Sequence, residues 1–133
     1  MQPYQVILAI PASTVATAPA TSTIKLEKGI LHRMQIAFPW GCAENVHVVV
    51  DDRLKQISPW NEGESWAWND FVLDYEPNHT LNDSPFELIV KGWSDDVRHS
   101  HRITFRFFVD PTPRSRVDQL IANLFSATPG GRV

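Results

Sequence analysis

The sequence predicts an all-β domain: an antiparallel β-sandwich or barrel with an extended N-terminal strand and arm and one short C-terminal amphipathic helix. Three observations predict it. Between Tyr4 and Val109, segment after segment carries apolar residues at every second position, the period of a strand with one buried face. Turn-forming groups such as Lys28-Gly29, Pro39-Trp40-Gly41 and Ser94-Asp95-Asp96 interrupt that pattern at short intervals. A 3.6-residue period appears only after Ser115. The 133 residues fit one domain, divided into an N-terminal strand and arm (1–23), a β core (24–110) and a helix (115–126).

The elements follow in chain order. Tyr4, Val6, Leu8 and Ile10 alternate, with Ile7 and Ala9 on the other face, which predicts a strand covered in part on both sides. Residues Pro11 to Thr23 are small and polar, with prolines at 11 and 19, and read as an extended connector. Thr23 to Glu27 alternates around Ile24 and Leu26. In Ile30 to Phe38, Ile30, Met34, Ile36 and Phe38 share a face opposite Arg33 and Gln35, and His32 falls on the apolar side. Val46 to Val50 is a strand whose inward face its composition leaves open, and Gln56-Ile57 adds a short one.

Pro59 to Trp68 is a loop rich in tryptophan, Phe71 to Tyr75 a short strand, and Glu76 to Pro85 a polar loop. Phe86, Leu88 and Val90 oppose Glu87, Ile89 and Lys91. In His99 to Val109, Ile103, Phe105, Phe107 and Val109 oppose Arg102, Thr104 and Arg106. The predicted core is therefore Ile36, Phe38, Val48, Val50, Leu88, Val90, Ile103, Phe105 and Phe107. Last, Val117, Leu120, Ile121, Leu124 and Phe125 form one helical stripe. Ser115 stands at its cap and Thr128-Pro129-Gly130 at its end.

Composition narrows the function. A net charge of −3 gives no general attraction to nucleic acid or anionic membrane. No apolar run approaches the ~20 residues that cross a bilayer, and Tyr4 to Ile10 lacks the basic start of an export signal. Without such a signal, Asn78-His79-Thr80 and Asn82-Asp83-Ser84 read as chance glycosylation matches. The single cysteine, Cys42, excludes an internal disulfide.

The candidate chemistry is sparse. His99 and His101, two apart on a strand, point the same way and can meet one ion, with His79, Asp95 or Asp96 as a further ligand. No diagnostic ligand spacing supports that, so the expectation is no metal and no cofactor. Glu62, Glu64, Asp70 and Asp74 could include an acid/base pair, but solvation of loop carboxylates is the default explanation. Cys42 with a histidine lacks the local signature of a thiol enzyme. The expectation is a protein that is not an enzyme.

The five tryptophans say more. Trp60, Trp66 and Trp68 lie in one loop region, and Trp66 and Trp68 share a face of an extended segment. Plugging an end of the sandwich or barrel and burial in an interface explain them equally, and stacking on a sugar is a further use.

One pattern runs through the chain. It comprises Gly29-Ile30-Leu31, Arg33, Ile36, Phe38-Pro39 and Gly41-Cys42-Ala43, then Val46-His47-Val48, Gln56-Ile57 and Pro59. It continues through Pro85-Phe86-Glu87-Leu88, Gly92-Trp93-Ser94-Asp95-Asp96 and His99 to Phe105. It resembles small β-domain decoration proteins of tailed viruses, over roughly Tyr4 to Asp110. The resemblance implies a structural virion protein, made in the host cytoplasm, that decorates or cements a capsid. It implies a homo-oligomer, commonly a trimer, that clamps a major capsid protein and has no active site.

The interface candidates are the tethered strand (Tyr4, Val6, Leu8), the loop tryptophans (Trp60, Trp66, Trp68) and the helical stripe. The arm of thirteen residues spans up to about 40 Å at ~3.3 Å per residue, so the strand it carries can pair within its own sheet or a neighbour's. Two other classes compete: a carbohydrate-binding β-sandwich module using the loop tryptophans, and a cupin-like metal-dependent enzyme using His99 and His101.

Overall fold

The computed structural model describes residues 2–111. Nine strands account for the regular structure among them: β1 (Gln2–Ile10), β2 (Ala20–Lys25), β3 (Gly29–Phe38), β4 (Val46–Asp52), β5 (Lys55–Ser58), β6 (Phe71–Tyr75), β7 (His79–Leu81), β8 (Glu87–Ser94) and β9 (His101–Pro111). The segment 115–126 expected to be helical, with Val117, Leu120, Ile121, Leu124 and Phe125, lies outside the described residues.

The strands form two antiparallel sheets. One runs β1-β9-β3-β6, with β7 also paired to β3; the other runs β2-β8-β4-β5. The pairings are nested: β1 with β9, β2 with β8, β3 with β6 and β7, β4 with β5. This is the wiring of a jelly roll, a sandwich made when one long antiparallel ribbon rolls up. Its consequence is positional. The β1–β2, β3–β4, β5–β6 and β8–β9 loops meet at one end.

Main-chain bonds knit that end together: Ser13 N–H to Asp96 O at 2.8 Å, Ser94 N–H to Thr14 O at 2.9 Å, and Asp95 N–H to Asn45 O at 2.8 Å. The Asn69 side chain accepts from the amides of Gly41 and Ala43, both at 2.9 Å. At the other end Arg53 donates to the carbonyls of Asp83 and Ser84.

The core lies between the sheets. All nine residues expected there are buried, with Phe105 and Phe107 at 0% exposure. Fully burying a side chain of this size stabilises by ~1.5–3 kcal/mol. Val46, Val48 and Val50 point inward from β4, and Val49 is also covered, at 6%. The sheets approach closely at Gly92: a Cβ there would sit 2.4 Å from Ile10 Cδ1. Gly29 is equally constrained, since a Cβ would meet the Asp110 carbonyl oxygen at 2.3 Å.

Four local expectations change. β2 begins at Ala20, not Thr23, because Ala20 to Thr23 pair with Gly92 to Ile89 of β8. The segment 76–85 is not all loop: His79–Leu81 pairs with Gly29–Leu31. A β-bulge between Leu31 and Arg33 switches the faces of β3. Leu31 is therefore buried and Ile30 is exposed at 36%, the reverse of the alternation read from Ile30. His32 sits at the bulge, half-buried, 3.7 Å from the Glu76 carboxylate.

Candidate functional site

The N-terminal strand is part of the domain's own sheet. β1 pairs with β9 from Gln2↔Val109 to Ile10↔His101. Tyr4 and Val6 pack against the core and Leu8 is 3% exposed, so these three face inward. The Tyr4 hydroxyl donates to Glu27 Oε1 at 2.8 Å. The outward residues of β1, Ile7 among them, belong instead to a broad exposed face.

That face is the outer side of the β1-β9-β3-β6 sheet. One row crosses it through Ile7, Thr104, Ala37 and Val72. Its two ends, Ile7 and Val72, are half exposed. The next row is Gln5, Arg106, Gln35 and Asp74. Arg106 Nε donates to Gln5 Oε1 at 3.0 Å, and Gln35 donates to Asp74 at 3.2 Å. Arg33 grips the same carboxylate with two bonds, of 2.8 and 2.6 Å. The Arg33 guanidinium first, then Gln35, holds the Asp74 carboxyl down at about 2. Arg33 also lies over the Phe108 ring, 5.4 Å from its centroid. The face thus sets a row with apolar ends beside a row in which Gln5 is tied to Arg106 and Gln35 to Asp74.

A second feature lies at the side of the sandwich where β5 and the β6–β7 segment are edges. A cleft there has two lobes of about 340 and 390 Å³ that share Ile57, Trp60 and Pro77. Trp66 and Tyr75 line the larger lobe. Trp66 takes a place beside β4 through a two-way main-chain bridge to Val48, 3.0 Å each way. Its Nε1–H donates to Ser58 Oγ at 2.9 Å, and Ser58 Oγ meets the Tyr75 hydroxyl. Burial pushes the Tyr75 phenol up, so it stays protonated. Asn78, His79 and Thr80 border the smaller lobe, where His79 Nε2 bonds Asp52 at 2.6 Å.

The three loop tryptophans therefore have different fates. Trp66 packs on Tyr75 and against the core. Trp68 packs on Phe71, with ring centroids 4.9 Å apart, and is 38% exposed. Trp60 is 63% exposed. The cleft wall from Tyr75 to Thr80 escaped sequence reasoning, because Glu76 to Pro85 reads as plain polar loop. Tyr75 and His79 at the ends of two short strands are the only signal it carries.

The histidines do not converge. β9 begins at His101, so His99 stays in the exposed turn while His101 points inward. His101 Nε2 bonds Asp96 at 2.8 Å and its Nδ1 lies 3.8 Å from Cys42 Sγ. Among the described residues no group of three His, Cys, Asp or Glu is placed to hold a metal ion. Asp95 instead pairs with His47, which stacks on Trp93.

Cys42, His101 and Asp96 do form a row, but Cys42 is fully buried. Burial pushes its thiol up, and the nearby Asp96 carboxylate adds to that. The row is a packed thiol beside a hydrogen-bonded imidazole, with no access for a substrate. Asp74 is engaged by Arg33, while Glu62, Glu64 and Asp70 stand exposed on the β5–β6 loop.

No family model matches the chain, and no curated protein matches it. Among solved structures, one described as "CBM4 structure and function" is similar at 11% identity, covering 80% of this chain and 81% of that one, with a TM-score of 0.41. Among the described residues no helix is long and apolar enough to cross a membrane.

Proposed function

We propose that the protein is a structural virion protein that decorates or cements a capsid through protein–protein contacts. Jelly-roll wiring is shared by capsid, lectin and cupin domains, so it admits this reading without selecting it. The observation that carries the reading is the outer face of the β1-β9-β3-β6 sheet. Exposed apolar ends at Ile7 and Val72, beside a preordered polar row, give both burial and fixed hydrogen-bonding partners to a second protein surface. Such a face needs no moving part and no reacting group. The resemblance to decoration proteins supplies the kind of partner: further copies of this chain and a major capsid protein.

The test is native mass by light scattering, with co-sedimentation on purified heads of tailed viruses. The wild type should be oligomeric and bind heads. Val72→Glu should weaken both, with its melting temperature unchanged. A wild type that is monomeric at every concentration and ignores heads rules the reading out.

A further inference from the structure

We propose that the cleft between β5 and the β6–β7 segment is a binding site for a neutral saccharide, with one sugar ring stacked on Trp60. The site is separate from the sheet face on which the assembly reading rests, and it stands or falls independently.

Three features converge on it. The first is the indole. Trp60 is 63% exposed, yet it borders both lobes of a cleft whose floor includes buried Ile57. A flat apolar ring with one N–H donor suits a ligand that is apolar on one face and polar at its rim. A pyranose, with C–H groups on its faces and hydroxyls around its edge, is such a ligand.

The second feature is preorganisation. Lys55 Nζ lies 4.1 Å from the Trp60 ring centroid, packed over the indole. The Gln56 side-chain amide contacts the carbonyls of Pro59, Asn61 and Glu64 at 2.7, 3.2 and 3.0 Å. These contacts hold the loop that carries Trp60 before any ligand arrives, which lowers the entropic cost of binding.

The third is the chemistry of the rim. Asn61 borders one lobe, and Asn78 and Thr80 the other. Among the described residues their side chains have no hydrogen-bond partner in the protein. Amides and hydroxyls both donate and accept, as sugar hydroxyls do. Glu76 is the charged residue lining the larger lobe, and the Lys55 ammonium lies over the Trp60 ring, so the charges at the site offset one another and give no net attraction to sulfated or uronic acid sugars. The lobe volumes fall in the ~300–1,000 Å³ range of small-molecule sites, and Trp60 lines both of them.

The experiment is a titration of the full chain with cellotetraose, maltotetraose, mannotetraose and chitotetraose, followed by tryptophan emission and calorimetry. Trigalacturonate and a proline decapeptide serve as the anionic and peptide probes. At least one neutral oligosaccharide should bind saturably and change the emission. Trp60→Ala should weaken that binding by about tenfold or more, as loss of a central aromatic anchor does, while Trp60→Phe keeps part of it. Trp40→Ala, which removes an 81% exposed tryptophan outside the cleft, should leave binding unchanged. Melting curves confirm that each variant is folded. Failure of all four neutral sugars overturns the proposal. So does equal affinity in folded Trp60→Ala, or binding of the proline peptide alone. None of these outcomes bears on head binding, so the two readings fail separately.

Discussion

Asp96 shows how much one side chain settles at the loop end of the sandwich. Its Oδ1 accepts from the main-chain amides of Arg98 and His99, at 2.9 and 3.2 Å, and its Oδ2 bonds His101 Nε2. Its own carbonyl receives the Ser13 amide of the arm. The Arg98 amide first, then His101, holds its carboxyl down at about 2, against burial, which works the other way. The folded value lies below the ordinary 3.8, so the stabilisation is fully present above that pH and is lost as pH falls through about 2. The melting temperature of the wild type should therefore decline between pH 4 and pH 2. Asp96→Asn should melt lower at neutral pH and decline less steeply across that interval; some decline remains, because Asp74 is held down in the same way. Equal acid slopes in the two proteins would rule out Asp96 as a source. The sequence places His99 and His101 together by alternation alone. What it does not show is that Asp96 caps the turn before β9, which keeps His99 off the strand.

At the scale of elements, β1 separates the two uses first open to the tethered strand. Its nine positions are paired with β9 of the same chain, and Leu8 and Ile10 are buried. Ile10 fills the space that Gly92 leaves where the two sheets approach. Removing residues 1–21 strips that layer, uncovers an edge of β9 beside Phe105, and takes Ala20 and Thr21 from β2. The truncated chain should lose its cooperative thermal transition and its β-type circular dichroism. A truncated monomer that melts like the wild type would mean that β1 is an appendage. The long strands β3, β8 and β9 were legible because each has a single buried face. The bulge at Leu31/Arg33 was not, since it depends on the pairing with β9 and leaves no mark in local alternation. The short β7 was hidden for a related reason: three residues show no period, and His79–Leu81 becomes a strand only through Gly29–Leu31.

For the whole molecule, period-two patterning predicts a sandwich or barrel, but nesting β1 with β9 and β2 with β8 joins residues at opposite ends of the chain. No local signal specifies that. The wiring is also common to capsid, lectin and cupin domains, so it does not select a function, and the proposed one rests on surfaces. The tail bears directly on them. β9 ends at Pro111, paired with Gly29, on the sheet whose outer face carries Ile7, Val72 and Phe108. Twenty-two residues follow, with Val117, Leu120, Ile121, Leu124 and Phe125 at helical spacing. An apolar stripe of that size needs cover, and left exposed it favours aggregation. The strands in residues 2–111 form both sheets described. Deleting 115–133 should therefore leave the β-type circular dichroism and a cooperative melt intact while reducing the native mass. Combining the deletion with Val72→Glu decides whether tail and sheet face act together. If they form one interface, the double change should lower the mass no further than either change alone. Unchanged mass after the deletion would remove the stripe as a fastener. Loss of the cooperative melt would assign the stripe to the domain's own core, leaving the sheet face as the contact between copies.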